Sequence, residues 1–179
     1  MSEPRTSTSP RMPGIYLDDH LAGATAGMQL ARRTAREHRE SPFGGGLEDV
    51  AAQIVEDREA LLTVMADLEV PVRRYKVCGG RPGEKAGRLK ANGRPRRRSG
   101  LSTVLELESL RIGVEGRALV WHALPAAAGE EPRLAPDRLT ELLNRARRQR
   151  VTLKSPHEAA AATMFSPGRT EPREAVAGT

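Results

Sequence analysis

Apolar residues recur at three- and four-residue spacing through four stretches of about 20 residues, and no other feature of the chain constrains its fold as strongly. Leu17, Leu21, Ala24, Met28, Ala31 and Ala35 mark the first stretch, and Leu47, Val50, Ile54, Leu61, Met65 and Leu68 the second. The third is LSTVLELESLRIGVEGRALVWHA at 101–123. The fourth carries Leu139, Leu142, Leu143, Ala146, Gln149 and Leu153. Such spacing belongs to helices with one buried side, each near 30 Å long at 1.5 Å per residue. Four rods of equal length hide their stripes most readily against one another, so the pattern predicts an all-α four-helix bundle.

The breaks between the rods set the connectivity. SPFGGG at 41–46 ends the first, EVP at 69–71 the second, and LPAAAGEEPRLAP at 124–136 separates the third from the fourth. Ser99 and Ser102 are cap candidates for the third helix, Pro136 suits the first turn of the fourth, and Pro156 is expected to break that helix before EAAAATMF. The link between the second and third rods is about 30 residues. That length predicts a ferritin-like arrangement with one long crossover, braced by a short helix near residues 83–90. Residues 1–14 and 166–179 read as disordered tails around a single domain, 15–165. Gly23 and Gly27 each lower helicity by roughly 1 kcal/mol, so a continuous first helix implies close approach by a neighbour.

Composition narrows the function classes. Aromatics make up 3% of the chain, which leaves the core to Leu, Val, Ala, Ile and Met and favours helices over strands. Cys78 is the single cysteine, so neither a disulfide framework nor a CxxC metal knuckle is present. It lies among Arg73, Arg74, Lys76 and Arg81, but no sequence feature sets a histidine base beside it. The N-terminus has no apolar secretory core, and no window approaches 18 apolar residues, so a cytoplasmic protein without a membrane span is expected. GxGxxG, GxxxxGK[ST] and GxSxG are all missing.

The net charge of +6 is unevenly placed. Residues 73–98 hold eleven Lys or Arg against Glu84, a local +10, while the rest of the chain has 18 bases against 22 acids. Arg73, Arg74, Lys76, Arg94, Arg96, Arg97 and Arg98 are candidate contacts for a nucleic acid or an acidic protein. Alternatively the run docks on the acidic helices, for instance through Arg88, or keeps the crossover soluble. Tyr75 is its only aromatic, which leaves one stacking platform for bases.

The remaining chemistry lies in carboxylates. Reading the third helix along positions 101, 105, 108, 112, 115, 119 and 122 places Glu108 and Glu115 inward, two turns and about 10 Å apart, too far to share one ion directly. With His20, Glu56 and Asp57 they form a candidate ligand set for iron or manganese. A dinuclear carboxylate centre also needs Glu-x-x-His on two helices, and the chain has none. A second reading needs no cofactor: Asp57, Glu108, Glu115 and Gln149 form a polar core layer neutralised by Arg58, Arg111, Arg145 or Arg148. In a third, the helical phase turns the acids to solvent. Trp121 reads as a core plug and His122 as a polar edge residue.

YLDDHLAGATAGMQLARR, QIVEDREALLTVMADL, GRLKANGR, LELESLRIGVEGRALVW and LNRARRQ together resemble a family of small, uncharacterised bacterial proteins with a ferritin-like helical bundle. The resemblance covers about residues 15–165. It implies the bundle, a helical brace near 82–90, and polar positions in the bundle for Glu56, Asp57, Glu108 and Glu115. The stretch Lys154, Ser155, Pro156 departs from the more uniformly helical, acid-bearing ending of that family. No activity comes with the resemblance. The expectation is therefore a structural or interaction module, with a homo-oligomer among the options for its partner.

Overall fold

The structure is a computed structural model that describes residues 11–72, 100–128 and 133–166. These residues form α1 (Arg11–Glu37), α2 (Gly44–Asp67), α3 (Gly100–Ala128), α4 (Pro136–Thr152) and α5 (Lys154–Phe165), with no strand among them. The expected short helix near 83–90, Cys78, Ser99 and the basic run 73–98 lie outside the described residues.

Two apolar clusters fix the directions of the helices. One gathers Leu17 and Leu21 of α1, Leu61, Val64 and Met65 of α2, Val120, Trp121 and Leu124 of α3, and Leu139 and Leu142 of α4. The other gathers Ala31 and Ala35, Val50 and Ile54, Leu107, Leu110 and Val114, and Ala146 and Leu153. The start of α1 thus meets the ends of α2 and α3 and the start of α4. It follows that α2 and α3 run in one direction and α1 and α4 in the other. Helix α1 packs on α2 and α3, and α4 on α3 and α2.

Local chemistry explains most boundaries. Helix α1 is already helical at Arg11, so residues 11–14, read from the sequence as part of a tail, belong to it, Pro13 included. The turn into α2 is held by the Ser41 hydroxyl, which donates to the His38 carbonyl at 2.7 Å and accepts from Phe43 N–H at 3.3 Å. Only glycine fits at position 44, where a Cβ would overlap the Arg39 carbonyl. Helix α2 ends in a Schellman turn, with Val70 N–H on the Met65 carbonyl at 2.8 Å and Glu69 N–H on Ala66 at 3.0 Å. Glu69 takes the left-handed conformation there, with φ of 56°.

Three boundaries differ from expectation. Ser102 lies inside α3, which is already helical at Gly100. Helix α3 also runs through Pro125 to Ala128. The fourth rod breaks at Leu153, three residues before Pro156, which then occupies the first turn of α5. Gly23 and Gly27 differ as well: a Cβ at either would meet nothing within 4 Å, so no described neighbour presses against them.

Candidate functional site: a neutralised polar layer and a bare helix face

Asp57 is fully buried in α2 between the two apolar clusters. Gln149 of α4 donates its amide N–H to Asp57 Oδ2 at 2.8 Å, and Arg117 of α3 donates to the same oxygen at 3.3 Å. Arg145, one turn before Gln149 on the same face of α4, sets Nη2 2.7 Å from Asp57 Oδ1, out of hydrogen-bond alignment, and donates from Nη1 to Glu56 at 2.8 Å. Two carboxylates and two guanidiniums thus cancel. Burial draws the Arg117 guanidinium below its ordinary value; Asp57's charge and hydrogen bond raise it again, and Arg145 opposes them. The group stays a cation, because guanidinium does not deprotonate in proteins.

Expected site residues separate into three environments. Asp57 and Gln149 meet inside the layer, with the more exposed Glu56 at its edge. Glu108 and Glu115 stand elsewhere: their side chains are 45% and 48% exposed, Glu108 3.2 Å from His157 Nε2 and Glu115 2.8 Å from Arg150 Nη1. Placing these two in the core layer is corrected by the phase of α3, whose inward side carries Val104, Leu107, Leu110, Val114, Arg117, Trp121 and Leu124. His20 lines a groove of about 100 Å³ between α1 and α3, with Gly23, Gly27, Ser109, Gly113 and Trp121. Partial burial lowers its pKa, Asp19 raises it and Arg117 lowers it further. The ring meets Tyr16 edge-on at 4.5 Å. Among the described residues no three His, Cys, Asp or Glu side chains converge on one point. The candidate anion contacts from Arg73 to Arg98 lie outside the described residues.

Of the four cations named as partners for the layer, only Arg145 reaches it. Arg58 donates to Thr25 Oγ1 at 3.1 Å and pairs with Glu59, while Arg111 meets His157 Nδ1 at 2.9 Å. Arg148 is exposed. Arg117 and Glu106 are inward charges that the sequence pattern did not single out, Glu106 being buried and 3.0 Å from Arg33 Nη2. The signal for Arg117 was its register with Leu110, Val114, Trp121 and Leu124, three or four residues apart. Trp121 is buried as expected, and its indole N–H has no hydrogen-bond partner among the described residues.

The expected inward stripe of α3 forms its outer face. Leu101, Leu105, Ile112 and Leu119 are 52%, 42%, 72% and 59% exposed, and His122 is exposed beside them. Their spacing with Glu108 and Glu115 alternates four and three without interruption from 101 to 122. Toward α1 the face is bordered by Ser109, Gly113 and Gly116, and a Cβ at either glycine would meet nothing within 4 Å. Among the described residues no helix is long and apolar enough to cross a membrane. Comparison with family models, curated proteins and solved structures finds no match for the chain.

Proposed function

We propose that this chain is a structural or interaction module built on a ferritin-like bundle, and that it works by presenting the outer face of α3 to another protein surface. The ferritin-like reading draws on the shared direction of α2 and α3. One observation carries the functional reading: four large aliphatic side chains lie bare along one line of α3. Single exposed apolar residues are ordinary, whereas an aligned row of them marks a docking surface.

The charged groups favour this reading over a metal centre. Each candidate carboxylate already faces a cation or a histidine: Glu56 and Asp57 face Arg145, Glu115 faces Arg150 and Glu108 faces His157. A dication beside Asp57 would meet repulsion from the Arg117 and Arg145 guanidiniums already paired with it. The local charge of +10 in residues 73–98 supports a second reading, in which that run contacts a nucleic acid or an acidic protein.

The test places a photo-crosslinking amino acid at position 112 of the full chain in living cells, with position 52 on the exposed side of α2 as control. Discrete protein adducts are expected from 112 and not from 52. A lack of adducts, or the same pattern from both positions, overturns the docking role of α3.

A further inference from the structure

The bare face of α3 has the geometry of a two-helix seam. Strict alternation of three- and four-residue steps gives a 3.5-residue repeat, the period at which two helices stay in contact along a left-handed supercoil. Leu105, Ile112 and Leu119 occupy one seam position, and Leu101, Glu108, Glu115 and His122 the other. From 101 to 122 the seam runs about 33 Å. Every apolar residue of the first position is exposed, so nothing in this chain fills the seam among the described residues.

The charges along the seam say what fits there. In a parallel pair of α3 helices Glu108 would face Glu108 and Glu115 would face Glu115, two like-charge layers inside an apolar contact. An antiparallel pair with its dyad between residues 113 and 114 removes both layers. Glu115 then meets Ile112 of the second copy with Arg111 of that copy beside it, and Glu108 meets Leu119. On the α1 side, Ser109 comes opposite Gly116, so small residues allow the two backbones to approach. Glu115 and Glu108 already lean toward Arg150 and His157 at the α4 and α5 edge, which leaves the aliphatic line uncovered.

We infer that the occupant of the α3 face is a second copy of this chain, joined by an isologous, antiparallel α3 to α3 seam centred near Ile112. This inference rests on the docking role of α3 given above. A crosslink from position 112 to a different protein, with no self-adduct, would leave that role standing and overturn this one.

The direct test combines mass with orientation. At high chain concentration, light scattering is expected to give about twice the 19.5 kDa chain mass. Ile112→Arg with Leu119→Arg should return it to one chain while leaving helical content and melting temperature unchanged at dilution. A monomeric wild type, or a dimer that survives both substitutions, overturns the seam. In a Cys78→Ser background, Ile112→Cys should link to itself on mild oxidation. Leu105→Cys should not, because the two copies of residue 105 lie about 25 Å apart along the antiparallel seam. Efficient self-linking at both positions would mean a parallel pair and overturn the orientation.

Discussion

Asp57 is fully buried and pairs with Arg117, so its charge bears directly on whether that guanidinium is tolerated in the core. Asp57→Asn keeps the shape and removes the charge. It is expected to destabilise the fold by about 3–5 kcal/mol, the usual cost of stranding one partner of a buried ion pair. Arg145 is affected less, since Glu56 remains 2.8 Å from its Nη1. Asp57→Leu combined with Arg117→Met should recover most of the loss, because no charge is then left without a counterion. Urea unfolding of the single and double variants at neutral pH checks both statements. A cost under about 1 kcal/mol for Asp57→Asn would show that water reaches the layer. Asp57 and Gln149 were legible in the sequence through their register with Ile54, Leu61, Ala146 and Leu153. Which cation would meet them was not, because Arg58, Arg111, Arg145 and Arg148 all sit on long, flexible stems and side-chain choice follows helix rotation.

At the scale of the element, α3 shows how a helix with two apolar stripes is misread. Its outer line offers four aliphatic residues in seven positions, broken by Glu108, Glu115 and His122. Its inner line offers Val104, Leu107, Leu110, Val114, Trp121 and Leu124, interrupted only by Arg117. A plain count of apolar residues favours the inner line, and Trp121 as the largest side chain adds to it. Treating Glu108 and Glu115 as inward acids selects the other line. Phase has a direct test. Leu107→Ala should cost about 2–5 kcal/mol as a core truncation, while Leu105→Ala, two residues away, should stay within about 1 kcal/mol. Denaturant midpoints at low micromolar concentration, where assembly adds little, separate the two. Equal costs would reject the rotation of α3 described above. The α4 to α5 break follows a similar local logic, since Pro156 lacks the N–H that would continue the ladder and the chain steps aside at Leu153.

For the molecule as a whole, charge and apolar surface are segregated. The acidic balance lies on the rods and the basic excess in residues 73–98, while the bare aliphatic line is confined to α3. If the basic run binds nucleic acid, Arg96→Ala, Arg97→Ala and Arg98→Ala together should weaken binding of the full chain to a short DNA duplex. They should also flatten the slope of log affinity against log salt by up to about 2.7, at about 0.9 for each phosphate no longer neutralised. Titrations by fluorescence anisotropy across a salt series check this, and an unchanged slope removes those three residues from the interface. If self-association through α3 and anion binding through the basic run are independent, a monomeric Ile112→Arg, Leu119→Arg variant keeps the same salt slope.

Periodicity and helix breakers were enough to establish the class of fold, the number and rough extent of the rods, and the burial of α1, α2 and α4. Both signals act locally, and each of those helices carries one apolar stripe. The rotation of α3, the choice of Arg117 and Arg145 as the arginines that neutralise Asp57, and the choice of the outward reading for Glu108 and Glu115 came from packing alone. With two stripes at nearly the same period, α3 is free by its own pattern to bury either. Trp121, Leu124 and Val120 settle the choice by filling the space against Leu17, Leu21, Leu61 and Leu139, so packing against three other helices supplies the information that periodicity lacks.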